Sequence, residues 1–535
     1  MKMRSLLLVV SLMMVLAVAC APKAQPTVQP TAAPTATAVL PTPVPPTPVP
    51  KVLRVAVTTE GLNMDPQNYY MSETVICHIH QGLFKLDKNL VPQPLLAESA
   101  TVSDDGLTWT IKLKKGIIFH DGTPFTADAV KAIVDKTLGD EPPTRSSFIG
   151  RSELESAQVL DDYTVEIKTK NPVGSFLCTL SGPAWFINSP AAYEKYGEEA
   201  GNHPVGTGPY RLVEWVKDEQ VILERNPDYW GTTQPYYDRL IFKVVGEDST
   251  RVALLEAGEV DAIAQVPPSE IPRLEQDPNI VMDVANLNRI LYIAINCQLP
   301  YLDDVRVRQA MNYAVDKQAI VASIVGGLGE EAISPVPRLT WGHAEVGRYS
   351  YDPAKAKQLL TEAGVPARLE VSIWVRQGRY FQGEEVAEAV ANYLRDVGLK
   401  VTVDILEGGI FNESVRKPFG ESEVVMYELG WVASNMDADL ALTPLFHSSQ
   451  WPPTGANRGF YENPKVDELL DLARITVDLE ERKALYEAVQ RVIWDEAPWI
   501  FLHYMKLPNA HRKGITGLFM WPTERWDLLE ARPEQ

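Results

Sequence analysis

Residues 430–446, GWVASNMDADLALTPLF, set one large ring beside a row of small polar groups: Trp431, Ser434, Asn435, Asp437 and Asp439. The stretch follows a predicted strand, 423–429, whose alternation is imperfect but which is rich in Val, Met and Tyr. An aromatic plate with convergent polar side chains at a strand end is how a small-molecule cleft is usually built. Such chemistry binds without reacting. The acids Asp437 and Asp439 raise the question of glycoside hydrolysis, but two acids in one loop more often form a polar rim. The chain has no GxSxG elbow, HExxH, Walker loop or EF-hand loop. Gly206-Thr207-Gly208-Pro209 is a tight connection into a strand, and it lacks the GxGxxG spacing and following helix of a dinucleotide site. The expectation is a binding protein, not an enzyme, with no cofactor.

Cys77, His78 and His80 invite a metal reading. They fall on a predicted helix, where positions 78 and 80 point about 200° apart, so both cannot chelate one ion. Packed or capped histidines are expected, and no metal. Cys77, Cys178 and Cys297 show no CxxC spacing, so they allow at most one disulfide, of unassigned pairing.

The elements that must carry these residues alternate between strand and helix. Residues 51–59 (KVLRVAVTT) alternate as a first strand, and Ser72 is a candidate N-cap for a helix bearing Val75, Ile76, Ile79 and Leu83. A dense β region follows, with TWTIKL at 108–113 and a strand at 159–169. Asp304, Asp316, Asp352-Pro353, Asn463-Pro464 and Asp478 open helices, and Gly364 and Gly398 close two of them. Asp478-x-x-Glu481 has the spacing of a capping box. The strand 369–375 leads into Arg376, Arg379, Tyr380 and Phe381. This alternation predicts α/β lobes.

The chain has 535 residues, enough for roughly two to four domains. Its formal net charge of −20 excludes the basic footprint that nucleic acid needs. Lys2 and Arg4 precede an apolar run at 6–18, which ends at Ala17-Val18-Ala19-Cys20. Small residues before a cysteine resemble the bacterial lipobox, although Ala17 stands where that pattern prefers Leu. Residues 21–50 are almost wholly Pro, Thr, Ala and Val, a composition that stays extended as a semi-rigid spacer. The reading is a lipoprotein signal at 1–20, a diacylated Cys20, and a tether at 21–50.

Several stretches carry a family resemblance. They are LKKGIIFHDGTPFTADAV at 113–130, PVGTGPYRLVEW at 204–215, ERNPDYW at 224–230, DDVRVRQAMNYAVD at 303–316, YDPAKAKQLLTEAG at 351–364, Gly430-Trp431, and residues 463–504. The chain resembles bacterial extracellular solute-binding protein family 5, the substrate-binding lipoproteins of peptide, dipeptide and nickel ABC importers. That resemblance implies a bilobal Venus-flytrap, periplasmic-binding-protein fold of the large class with an extra inserted domain. Lobe one would comprise 51–88, 204–290 and 503–535, the inserted domain 89–203, and lobe two 291–502. It implies an extracytoplasmic protein that closes on a ligand and delivers it to a permease and ATPase, held to the membrane by lipid alone and expected to be a monomer. Peptide-binding members hold the ligand's amino group with an Asp three residues after the GW. Here that position is Ser434, and a neutral hydroxyl offers no charge-assisted pairing to an ammonium. The ligand is therefore read as a peptide or peptide-like solute, or alternatively an oligosaccharide. Trp431 is expected to stack on it, with Ser434, Asn435 and Asp437 as hydrogen-bonding groups. Arg376 and Arg379 would meet an anion, and Glu428 a cationic or hydroxyl-bearing part. Tyr69, Tyr70 and Tyr380 complete the candidate set.

Overall fold

Two long antiparallel strands organise the molecule: β12 (Ile280–Ile295) and β17 (Trp499–Arg512). A computed structural model of the protein describes residues 49–534, apart from 60, 62, 69–72, 88, 142, 144–152 and 368. The predicted signal, Cys20, most of the tether, Ser72, Tyr69 and Tyr70 lie outside the described residues. β12 and β17 pair twice, first Ile280–Asn286 against Arg512–Lys506 and then Ile290–Ala294 against Tyr504–Trp499. Between these ladders Leu287, Asn288 and Arg289 stand opposite Met505 alone. A bulge of this kind bends the strand and sharpens its twist, and here it separates the two halves of the sheet.

The remaining strands build outward from this crossing. In chain order they are β1 (Val52–Val57), β2 (Phe84–Leu86), β3 (Pro92–Pro94), β4 (Ala97–Val102), β5 (Thr108–Leu113), β6 (Leu154–Asp161), β7 (Thr164–Thr169), β8 (Tyr210–Val216), β9 (Gln220–Arg225), β10 (Arg239–Val244) and β11 (Ala262–Ile263). Beyond β12 come β13 (Gly329–Glu331), β14 (Glu370–Arg376), β15 (Lys400–Leu406) and β16 (Met426–Val432). The large sheet runs β15-β14-β16-β12-β17-β11-β1-β10-β9-β8, with β13 beside β17. One half holds β8, β9, β10, β1 and β11 with the outer ends of β12 and β17; the other holds β14, β15 and β16 with their inner ends. The molecule is thus bilobal and α/β.

β4-β5-β7-β6 form a separate antiparallel sheet, called here the small β unit, covered by the helix Ala127–Leu138. Its Trp109, Ile111, Val165 and Ile167 lie in one continuous apolar core with Leu53 and Val55 of β1. Apolar burial therefore binds the small unit to the first half of the sheet. The second half has a core on each face. Tyr292, Tyr427, Trp499 and Tyr486 fill one, and Leu291, Ile293, Val375 and Leu394 the other.

The helix boundaries follow the expected capping chemistry. Side-chain oxygens of Asp304, Asp316, Asp352, Asn463 and Asp478 each accept a backbone N–H from their helix's first turn. Gly364 and Gly398 end two helices at φ 70° and 108°, where a β-carbon would be strained. The strand expected at 423–429 is displaced to Met426–Val432, so Gly430 and Trp431 belong to β16 and not to a loop. Pairing with β12, Ile290 to Trp431 and Leu291 to Gly430, outweighs the weak alternation. The second half of the expected loop is a helix, Ala438–Phe446, which buries Ala438, Ala441, Leu442, Leu445 and Phe446.

Candidate functional site

β14, β15 and β16 are mutually parallel and end at Arg376, Leu406 and Val432 beside the bulge between the halves. The carboxyl ends of parallel strands are where α/β sheets place ligands. Among them β16 outruns its neighbour. Its pairing with β14 stops at Trp374 and Tyr427, so residues 428–432 have β12 on one side and no strand on the other. On that open side the Tyr380 hydroxyl accepts the Gly430 N–H at 2.7 Å and donates to its C=O at 3.3 Å. A β-carbon on Gly430 would lie 3.1–3.2 Å from the Tyr380 side chain, so the close approach favours glycine.

Trp431 is held by an irregularity in the following helix. Pro444 sits inside that helix and has no N–H, so the carbonyl four residues earlier, Leu440, lacks its helical donor. The Trp431 indole N–H donates to that carbonyl at 2.8 Å. The ring is half-buried and packs against the aromatic core, which fixes its plane at the strand end.

The turn after β16 is clamped from the bulge. Asn288 is fully buried; its Nδ2 donates to Ala433 O at 2.8 Å, and its Oδ1 accepts from Thr340 Oγ1 at 2.5 Å. Trp341 then brackets the turn by donating to Met436 O and accepting from Ala438 N. Asn435 Oδ1 accepts the Asp437 N–H at 3.1 Å, which closes an Asx turn. Ser434 is half-buried and makes no hydrogen bond among the described residues, so its hydroxyl is available.

Two expectations change. Asp437 is not a ligand-facing acid. It is completely buried, its oxygens accept Arg482 Nη1 and Nη2 at 2.8 and 2.6 Å, and it caps the Ala438–Phe446 helix through Asp439 N. Burial works against the Arg482 charge, but Asp437 outweighs it and holds the guanidinium pKa above its ordinary value. Glu428 is also enclosed, 1% exposed, beside Gly383 and Glu384, with Oε1 unpartnered. Burial, reinforced by Glu384, raises its pKa well above its ordinary value, which works against the anion that a cationic group would need.

The arginines remain open. Arg376 is half-buried at the end of β14, with Gly408 packed on its guanidinium and Glu407 in its field. Arg379 is exposed and lies 5.1 Å from the Tyr380 ring centroid. Among the described residues neither has a carboxylate within ion-pair distance. Sequence reasoning missed Arg289, whose bulge position left no local pattern. It pairs with Glu524 of the C-terminal segment at 2.9 Å and lies 6.0 Å from the Tyr380 ring.

Within the Cys77–His80 cluster the two histidines turn to separate partners. His78 Nδ1 bonds Thr74 O at 2.7 Å and Nε2 accepts Leu528 N at 3.0 Å, which anchors the C-terminal segment. His80 faces Ile187 O, and burial lowers its pKa to about 3. No group of three or more His, Cys, Asp or Glu residues is placed to hold a metal among the described residues. Cys77, Cys178 and Cys297 are free thiols. No helix of the described residues is long and apolar enough to cross a membrane.

Comparison with known proteins accords with this architecture. Residues 91–453 match the family model of bacterial extracellular solute-binding proteins, family 5. The chain is 38% identical over 484 residues to the glutathione-binding protein GsiB of Escherichia coli O1:K1 / APEC, spanning 90% of this chain and 94% of that protein. The structure of HbpA2 from Haemophilus parasuis superposes with a TM-score of 0.82 at 27% identity, covering 90% of this chain and all of that one. The periplasmic binding protein DppA from Helicobacter pylori, solved with the peptide STSA, gives a TM-score of 0.76 at 27% identity over 90% of this chain and 98% of that one. The chain belongs to the bacterial extracellular solute-binding proteins of family 5, and is an extracytoplasmic solute-binding component of a peptide-type ABC importer.

Proposed function

We propose that the protein captures glutathione, or a short peptide of similar charge, at the open side of β16 and presents it to its permease without altering it. The observation that carries this reading is the pair Arg376 and Arg379, cations with no carboxylate within ion-pair distance among the described residues, beside a strand edge and the neutral Ser434. Glutathione has two carboxylates and one ammonium, and that ammonium sits next to its own carboxylate. Such a ligand needs guanidinium forks more than it needs an aspartate. Its amides can pair with the part of the β16 edge that Tyr380 leaves free, and Trp431 offers the adjoining apolar face. The likeness to a glutathione-binding protein over nine-tenths of the chain supports the same ligand class. Trp431, Ser434, Asn435, Arg376 and Arg379 are the proposed contacts, with Tyr380 as the residue that holds the strand edge, and Tyr69 and Tyr70 are retained from the sequence.

The remainder of the proposal concerns address and assembly: domains as drawn from the sequence, a monomer, and Cys20 diacylated so that the 21–50 tether carries the body from the membrane. Calorimetry of the mature chain with reduced glutathione, Cys-Gly, a neutral tetrapeptide and maltotriose tests the ligand. One site for glutathione and weaker heat for Cys-Gly are expected, with the ligand recovered intact. Absence of heat with glutathione, or its turnover, refutes the reading. Lipid labelling lost in Cys20→Ala tests the anchor, and equal labelling of both proteins rejects it.

A further inference from the structure

We propose that Arg474 is a positioning residue that latches the small β unit onto the ligand-bearing half of the molecule, so that Glu153, which it grips, governs how long the cleft stays closed. The inference rests on the binding reading above only for its ligand assay. The small β unit shares an apolar core with the first half of the sheet, and its contacts with the second half include an ion pair and a close backbone approach. Glu153 Oε1 lies 2.5 Å from Arg474 Nη2, and Gly174 N donates to Arg474 O at 3.0 Å. A β-carbon on Gly174 would fall 2.3 Å from Thr476 O and 2.7 Å from Arg482 Cδ, so the chains meet there as closely as backbone allows.

The same guanidinium reaches the ligand loop. Arg474 Nε lies 3.6 Å from Asp439 Oδ1, and that oxygen also accepts from Thr443 Oγ1 at 2.6 Å within the Ala438–Phe446 helix. Two residues before Asp439, Asp437 is gripped by Arg482. Trp431, Ser434 and Asn435 are thus followed by two acids, each tied to an arginine at the seam with the small unit. The two arms of Arg474 differ. Asp439 and Arg474 sit in the same half and stay together when the bulge flexes. Glu153 sits in the small unit, so opening separates it from Arg474. With side chains 33% and 20% exposed, this arm is only partly screened by water, enough to bias an open–closed equilibrium without locking it.

The test uses the full mature chain with spin labels at the exposed positions Lys112 and Lys483, one on the small unit and one on the second half. Pulsed spin resonance of the ligand-free protein should show a longer-distance population in Glu153→Gln than in wild type. Gly174→Ala, whose β-carbon cannot fit against Thr476 O, should show the same change. With glutathione as probe, Glu153→Gln should speed dissociation about fivefold and leave association within about twofold, a split that a general loss of structure would not produce. Distance distributions in both variants that superimpose on wild type overturn the latch, as does an unchanged dissociation rate. If glutathione gives no signal with wild type, the ligand assignment falls and the distance distributions alone decide the latch.

Discussion

Asp437→Asn isolates the cost of breaking the ion pair beneath the candidate ligand loop. Asp437 and Arg482 have side chains 0% and 1% exposed, and two hydrogen bonds of 2.6 and 2.8 Å join them. Asparagine keeps the shape, one acceptor for the guanidinium and the cap on Asp439 N, so neither a cavity nor a lost cap contributes. What changes is charge and one acceptor: the amide nitrogen takes the place of Oδ2 opposite Arg482 Nη1, and the guanidinium stays buried with Tyr486 OH and Ala473 O as its remaining neutral partners. Removing one member of such a pair costs about 3–5 kcal/mol, against about 0–1 kcal/mol for an exposed pair. We expect about 3 kcal/mol, the low end, because the amide oxygen still accepts. Urea denaturation followed by tryptophan fluorescence should show a lower midpoint at unchanged slope. The double variant Asp437→Asn/Arg482→Met removes the stranded charge and should regain part of the loss. A single-variant cost below about 1 kcal/mol, or a double variant less stable than the single, would refute the reasoning.

Glu428→Gln should stabilise the protein at neutral pH. Because its folded pKa is raised, the stability it contributes is fully present below the ordinary carboxyl value of 4.5 and is lost as pH rises through the folded pKa. Thermal melts from pH 4 to 8 should therefore fall less steeply in the variant, and parallel curves would reject the assignment. Gly430→Ala forces its β-carbon to within 3.1 Å of the Tyr380 ring and should cost about 1–3 kcal/mol by calorimetric melting, largely relieved by Tyr380→Leu in the same chain. His80 and His503, with burial lowering their pKa to about 3 and about 4, are neutral when folded and charge on unfolding as pH falls below 6.5. His503→Gln should therefore flatten the loss of stability between pH 6.5 and 4, and an unaltered acid limb in denaturant titrations would show that His503 is not buried neutral.

Local chemistry was readable from the sequence wherever one residue and its neighbours decide the outcome. Asp304, Asp352, Asn463 and Asp478 announced helix starts because an N-cap needs only an oxygen next to free N–H groups. The α/β class followed from alternation of strand and helix periods, and Trp431 with Ser434 marked a candidate binding loop because an aromatic plate and small polar groups suit a cleft. The strand's true span did not follow, since Gly430 and Trp431 become strand through pairing with Ile290 and Leu291, far away in the chain. Neither did the role of Asp437. In sequence it is a polar loop residue, and only the arrival of Arg482 from a distant helix turns it into a buried ion pair. The bulge at Asn288 and Arg289 has no local signal because it is defined by the partner strand, where Met505 alone stands opposite three residues of β12. Side-chain type and short-range spacing decided which groups can bind or cap. Which of them face the ligand, and which are already occupied by another part of the protein, was decided by long-range pairing and burial, which bring together residues that no local pattern relates.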